Sequence, residues 1–415
     1  MKDLGTGSRK VILVLACVFL LLVGVMWQVL TALVLAQTLI VLLIFTKIYV
    51  RIASHFVEVE RVLPEQSLED SEVEVRLRVS SSFWLNWVLV EDYFSPDSFP
   101  HKRLVISSIS RKEGLTLRYR GGCLNGRGSF VVGPVRLYLS DPFGLWLEER
   151  ELRSTATRLL VLPRLVPLAQ LSPLAAQSVS FVGGRTLPRA GISYDFLGTR
   201  PYRQGDSLKY IHWPATAHSN ELIIKEFESH ALCKFSIFLD LHRDSLQGIK
   251  PNTLDYAITI GGSIAKFACD RSLEFRLFAH GQRSYSFPFG RGHGHLSWIL
   301  QELASMKPKG ELPLEELVRR NAPLILEKEE VFLLCPTHRF KLVNFVDIFQ
   351  FLRGREVAIT VVFLVSQSFE ELYRYQRSQD FLIHSQLPAL LSAQGIRVVA
   401  VEKGMDISKC FEQGI

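Results

Sequence analysis

From Val11 to Thr46 the chain carries no charged residue, and nowhere does it place two cysteines close enough for a CxxC pair. Its six cysteines, Cys17, Cys123, Cys233, Cys269, Cys335 and Cys410, are scattered. That scatter excludes a zinc ribbon and a thioredoxin-type site, and it fits small apolar residues in a reducing compartment. No GxSxG elbow organises the serines, and no GxxxxGK[ST] loop is present, so the chain is not itself a P-loop ATPase. There is no internal repeat and no low-complexity tract. A composition of 48% hydrophobic and 21% charged residues, with 27 Gly and 18 Pro, excludes disordered and collagenous proteins. The net charge of +7 is spread along the sequence, whereas a nucleic-acid binder concentrates its basic residues in one stripe. It suits a protein beside an anionic membrane. At 415 residues, two or three folding units are expected.

The 36 uncharged residues would form one helix of roughly 54 Å, far longer than the ~30 Å hydrocarbon core of a bilayer. Two spans, about 10–27 and 29–49, fit better, joined near Met26-Trp27-Gln28 at the far interface. Lys2, Arg9 and Lys10 precede the first span, and Lys47 and Arg51 close the second, while the turn between them is uncharged. The positive-inside rule then places both termini in the cytoplasm. A cleaved signal peptide would have a shorter apolar region ending in a small-x-small site, and none is evident.

Residues 55–165 read as a small β-sandwich. The segments 56–62 and 72–79 alternate apolar and charged residues, and further strands are expected over 87–93, 103–109, 115–120 and 129–139. Residues 166–230, broken by Pro163, Pro167, Pro173, Gly183, Gly184 and Pro188, read as an irregular connector with short strands. From 231 to 415 strands and helices alternate. Strands are expected at 235–241, a continuous apolar run, and at 274–279, 331–334, 357–365 and 398–401, with helices at 254–270, 295–306, 343–352 and 369–393. This pattern implies a parallel sheet covered on both faces.

In open α/β sheets ligands bind at the carboxyl ends of strands, which singles out Asp240-Leu-His242-Arg-Asp244 at the end of the first strand. Asp240, His242 and Asp244 alternate along an extended segment, similar to the DxSxS loop of von Willebrand factor A domains. That resemblance implies Mg²⁺ held by oxygen ligands. Here a histidine and an aspartate replace the two serines, and imidazole is a poor magnesium ligand, so a degenerate loop with Asp240 bonded to backbone amides is favoured. A second dense cluster runs from Gly191 to Trp213. Within it, His212 and Asp206 offer acid–base chemistry without a nucleophile. A salt-bridged structural plug is the better reading, with Arg200 and Arg203 pairing Asp195 or Asp206, and Trp213 buried over the Gly205-Asp206 turn. Arg291-Gly-His293-Gly-His295 has no third ligand nearby and reads as a solvent loop.

Two sets of residues carry a wider resemblance. One runs from Arg127-Gly128 through Gly133-Pro134 to Asp141-Pro142-Phe143-Gly144-Leu145. The other is Arg200-x-Tyr202-x-x-Gly205-Asp206-x-x-Lys209-x-Ile211-x-Trp213, followed by Glu226-x-Glu228. Together they resemble family fifty-eight of the bacterial domains of unknown function, across nearly the whole chain. The family usually has arginine at position 209 and Ala-Arg at 217–218, where this chain has Lys209 and Ala217-His218. Lysine cannot reproduce a bidentate guanidinium contact. The resemblance implies a bacterial membrane protein, and with the hairpin and its charges the expectation is a multi-pass protein of the inner membrane with its soluble domains in the cytoplasm. The resemblance also implies a von Willebrand factor A-like (Rossmann-like) C-terminal domain and association with MoxR-type AAA+ ATPases.

The expected fold is therefore multidomain: a transmembrane helical hairpin, a β-sandwich and an α/β domain. The expected function is a non-enzymatic, membrane-anchored adaptor or assembly factor that binds proteins and no nucleic acid, and needs no cofactor. The lipid bilayer is engaged through residues 10–49. The competing readings are a metal-dependent hydrolase using the Asp240 loop with Mg²⁺, and a purely structural subunit of a membrane complex.

Overall fold

A computed structural model describes residues 6–109, 114–141, 143–168, 171, 194–203, 211–219, 221–229, 234–327, 329–370 and 381–412. The chain divides into two compact units, Met1–Arg164 and Leu165–Ile415.

The first unit opens with helix α1 (Thr6–Met26) and helix α2 (Leu30–His55), joined at Trp27–Val29 with Gln28 in the left-handed region at φ 50°. Small side chains permit their approach. Cys17, Ala32 and Ala36 are buried, and a Cβ on Gly24 would lie 2.6 Å from Leu33 Cγ. Apolar side chains elsewhere on both helices face outward. The hydroxyls of Thr38 and Thr46 donate to Leu35 O (2.9 Å) and Leu43 O (3.1 Å), so neither remains as an unmet polar group on the helix surface. Among the described residues α2 is the helix long and apolar enough to cross a membrane, while the apolar part of α1 is shorter, Lys10–Met26. α2 also runs six residues past the expected 49, because its last turns enter the core of the domain that follows.

That domain has two sheets. The smaller has antiparallel order β1-β3-β6, with β1 at Val57–Val62, β3 at Glu72–Ser81 and β6 at Leu115–Gly122. The larger runs β2-β9-β7-β4-β5: β2 is Gln66–Leu68, β4 Leu85–Phe94, β5 His101–Ile109, β7 Gly128–Ser140 and β9 Thr157–Leu162, with β8 (Leu147–Leu152) paired to β7. In β3, Val73, Val75, Leu77 and Val79 are buried while the charged residues between them face water. They share one core with Val88 and Val90 of β4, Val132, Val135 and Leu137 of β7, and Val50 and Ala53 of α2. Across it, Arg61 pairs with Asp92, both nearly inaccessible to solvent. The guanidinium also donates to Val132 O at 2.8 Å, and Tyr119 OH donates to Asp92 Oδ2 at 2.6 Å. The charge is thus matched by hydrogen bonds, the condition under which a buried pair persists.

In the second unit, β10 (Tyr194–Pro201) and β11 (Ile223–Ser229) form an antiparallel pair within the expected connector. Beyond it lies a six-stranded sheet ordered β14-β13-β12-β15-β16-β17, with β12 at Lys234–Leu239, β13 at Glu274–His280, β14 at Ser284–Ser286, β15 at Glu329–Pro336, β16 at Ala358–Leu364 and β17 at Arg397–Val401. All neighbours are parallel except the short edge strand β14. Counted within this sheet the order is 3-2-1-4-5-6, a doubly wound arrangement whose order reverses between β12 and β15. Alternate residues serve opposite faces. Phe238, Leu333 and Phe363 pack with helices α5 (Leu314–Asn321) and α6 (Leu342–Arg353) and with Leu391 of α7 (Phe381–Ala393). On the other face, Phe235 stacks on Phe267 of α3 (Thr253–Asp270). Hence every residue of β15 is buried and the strand reads as an unbroken run.

One expectation changes, and another falls partly outside the described residues. Gly292–Ser305 is a helix, α4, so His293 and His295 stand in its first turn rather than in a solvent loop. Gly292 takes φ +78° at the joint, Leu296, Ile299, Leu300 and Leu303 form the buried face, and His295 Nε2 meets Phe275 O at 3.0 Å. The part of the expected 369–393 helix at 371–380 lies outside the described residues, and α7 occupies only its end.

Candidate functional site

The order of the sheet reverses at the carboxyl ends of β12 and β15, and Asp240 stands there. Its amide continues the ladder, donating to Leu334 O at 3.1 Å, and its side chain is buried. Oδ1 accepts the His242 amide at 3.0 Å and Oδ2 accepts the Ser245 hydroxyl at 2.7 Å, folding 240–245 into a tight turn. Burial pushes the Asp240 carboxyl above the usual carboxylate range, and these two donors oppose the shift. His242 caps the turn, its Nδ1 accepting the Asp244 amide at 3.1 Å. Residues 241–243 are in turn pinned to Gly310, where a Cβ would lie 2.1 Å from His280 O.

The neighbouring strand ends complete the network. His338 Nε2 lies 2.8 Å from Asp244 O, and His338 Nδ1 lies 2.7 Å from Ser366 Oγ. A carbonyl only accepts, so Nε2 carries the proton and Nδ1 accepts from Ser366. Ser366 N donates to Thr337 Oγ1 at 3.1 Å. One imidazole therefore ties together the loops after β12, β15 and β16.

Of the three candidate ligands, the structure brings His242 and Asp244 together, with Nδ1 3.5 Å from Asp244 Oδ2, and turns Asp240 away into its own hydrogen bonds. Asp244 is exposed, with Arg243 at 3.8 Å and Arg339 at 3.9 Å. Magnesium requires near-octahedral hard oxygen ligands. A donor set of one inward carboxylate, one imidazole occupied by an amide and one carboxylate beside two guanidinium groups does not fit it. Among the described residues no group of three or more His, Cys, Asp or Glu side chains is placed to hold a metal ion.

The crevice is filled by protein. Among the described residues, two cavities touch Asp240, each of about 10 Å³, room for a single water apiece. One is lined by Glu315, Cys335, Arg339 and Phe340, the other by Ser245, Thr253, Pro336 and Leu364. Burial raises the Cys335 thiol well above its usual range, which keeps it un-ionised and unreactive. The rim outside is open and partly apolar. Leu246, Ile249 (66% exposed) and Met405 stand on it. The last two lie on loops joined by Lys403 Nζ donating to Ile249 O at 3.3 Å.

The signature cluster falls differently. Arg200 and Tyr202 stand at the end of β10, where Tyr202 N donates to Leu222 O at 2.8 Å and Arg200 Nη1 donates to Pro201 O at 3.2 Å. Gly205, Asp206 and Lys209 lie outside the described residues, as does the side chain of Asp195. Trp213 corrects the sequence reading: it is 66% exposed, not buried. It opens a single helical turn, Trp213–Thr216, capped by His212 Nδ1 accepting Ala215 N at 3.0 Å, and four residues give no second turn against which the ring could pack.

Sequence reasoning missed Ser245, Thr337, His338 and Ser366. The available signal was positional: each lies within a few residues of the carboxyl end of a buried strand.

Comparison with known proteins gives one family. The model described as "Protein of unknown function DUF58" matches residues 198–322, from the end of β10 through α5 and including the Asp240 loop. This supports the resemblance carried by the second set of signature residues, Arg200 to Trp213 with Glu226-x-Glu228, while the first set, Arg127 to Leu145, lies outside the match. No curated protein matches the chain. Among solved structures, the CARDB domain of a Pyrococcus furiosus protein in complex with di-metal ions is 15% identical, covers 25% of this chain and 86% of its own, and has a TM-score of 0.20. A Paenibacillus sp. cycloisomaltooligosaccharide glucanotransferase complexed with cycloisomaltoheptaose is 8% identical, covers 83% of this chain and 53% of its own, and has a TM-score of 0.17. At these scores neither likeness says anything about fold or function.

Proposed function

Taking the family match over residues 198–322 as premise, we propose that the chain is a membrane-anchored, non-enzymatic adaptor whose α/β domain binds a MoxR-type AAA+ ATPase. α1 and α2 anchor it in the bacterial inner membrane as a transmembrane hairpin. Their outward apolar surface and their contact through Gly24, Ala32 and Ala36 support this. Basic residues at both outer ends support a cytoplasmic location for the soluble domains. The 3-2-1-4-5-6 order with an antiparallel edge strand supports a von Willebrand factor A-like domain that has kept the sheet and changed the metal loop.

One observation carries the choice of binding over catalysis. The crevice where such sheets take ligands is closed by the Asp240–Ser245 and His338–Ser366 hydrogen bonds, leaving space for one water beside Asp240. A hydrolase needs that crevice for its substrate. The loops after the strands instead offer exposed apolar and charged side chains, Ile249 tied to Lys403 with Met405 exposed nearby in sequence, and Asp244 3.9 Å from Arg339, a mixture common at protein interfaces.

The test is affinity capture of the full chain from detergent-solubilised membranes. The expected result is an AAA+ subunit in the eluate, lost from an Ile249→Asp variant that melts as the parent does. Integral membrane proteins without an ATPase would instead favour the structural-subunit reading, and an ATPase retained by Ile249→Asp would exclude the rim as its docking face.

A further inference from the structure

Three exposed aromatic rings of the β-sandwich, Trp84, Trp87 and Phe143, stand at the end where α2 enters it. The last turns of α2 are part of the sandwich core through Val50 and Ala53. Three further ties fix the level of the surrounding loops. Tyr49 OH donates to Trp84 O, and its ring meets Phe83 edge-on at 6.3 Å. The Arg150 guanidinium donates to Ser54 O. Lys10 and Lys47 place their ammonium groups 4.7 and 5.0 Å from the centre of the Trp146 ring. The β3–β4 tip and the β7–β8 tip are thus both held beside residues 47–54 of α2.

At this level Trp84 is 63% exposed, Trp87 62% and Phe143 54%. Trp87 has φ +55°, a left-handed conformation that bulky residues rarely adopt. The ladder brackets it: Asn86 pairs with Ser108 and Val88 with Ile106, and Leu85 and Val88 both point inward. The strained residue turns the indole outward. Backbone strain of this kind persists where the surrounding structure over-determines it, as the paired residues on either side do here.

We propose that Trp84, Trp87 and Phe143 sit in the interfacial layer of the lipid leaflet from which α2 emerges, so that the sandwich lies on the membrane surface. The inference rests on the anchoring reading above. A hydrocarbon core of ~30 Å takes about 20 helical residues, which from Leu30 ends near Tyr49. The tips held beside Tyr49 are therefore at headgroup depth, where tryptophan is favoured. Lys10 and Lys47 at the same depth match the phosphates of anionic lipids. β4 leads about 30 Å away from that surface, so Phe99, exposed beyond its far end, serves as a control.

The full chain is reconstituted into phosphatidylcholine–phosphatidylglycerol vesicles containing lipids brominated near the headgroup, in a Trp27→Phe background. The bromines are expected to quench part of the tryptophan emission, and the quenched share should fall by at least half in Trp84→Phe/Trp87→Phe. An indole placed by Phe143→Trp should be quenched and one placed by Phe99→Trp should not, which reads the surface even where the double variant folds poorly. An unchanged quenched share, or an unquenched indole at 143, would overturn the inference while leaving the anchor intact; rings reserved for a protein partner would give that result. Extraction of the chain from the vesicles by alkaline carbonate would overturn the anchoring reading, and this inference with it.

Discussion

Removing the Ser245 hydroxyl tests whether the Asp240 turn is a structural closure. Ser245→Ala deletes a donor 2.7 Å from a buried carboxylate and leaves the His242 amide alone to solvate it. Hydrogen bonds to charged groups contribute about 1.5–3 kcal/mol, so a loss of ~2 kcal/mol is expected at neutral pH. For a unit of this size that lowers the melting temperature by about 4–8 °C. The pH dependence has a definite sign. Burial raises the Asp240 carboxyl in the folded state, so its ionisation costs stability as pH rises through that raised value. Taking away a donor to the ionised form raises the carboxyl further. The deficit of Ser245→Ala is therefore largest where Asp240 is ionised and shrinks as pH falls and Asp240 protonates in both proteins. Because the chain is multidomain, the readout is amide exchange over 253–270, which isolates this unit. A deficit below ~0.5 kcal/mol, or one that grows as pH falls, would refute the reasoning.

Two further outcomes are expected. Asp92→Ala strands the buried Arg61 guanidinium and removes the acceptor of Tyr119, so protection over 57–162 should fall by about 3–5 kcal/mol, whereas the paired change Arg61→Met/Asp92→Leu should cost far less. Millimolar Mg²⁺ should leave the melting temperature of the full chain unchanged; a rise that vanishes in Asp240→Ala would show a functional metal loop, since a ligand of the native state stabilises it by mass action.

Where burial has a simple period, the sequence announces its strands. Val73, Val75, Leu77 and Val79 alternate because one face of β3 is wet, and Phe332, Leu333 and Leu334 run together because both faces of β15 are covered. Elements built on charged residues were not legible. β8, Leu-Glu-Glu-Arg-Glu-Leu, is an edge strand, and α5 is eight residues with four charges behind Pro313. The glycines beside His293 suggested a loop, but Gly292 supplies the positive φ that starts α4. At the site, Asp240 could be found because it ends an apolar run. Its relation to His338 and Ser366 could not, since the strand order sets β15 beside β12 across nearly a hundred residues of sequence. Trp213 was misplaced because a large ring argues for burial wherever a partner face exists, and a single helical turn provides none.

The entry of α2 into the sandwich core has a consequence for biogenesis. Val50 and Ala53 belong to the same core as Val75 and Val88, so the last two turns of the helix are a structural part of the domain. That core cannot close until those turns have reached their final place. On the anchoring proposed above, insertion of the helices and completion of the sandwich would be coupled, because the same helix serves both.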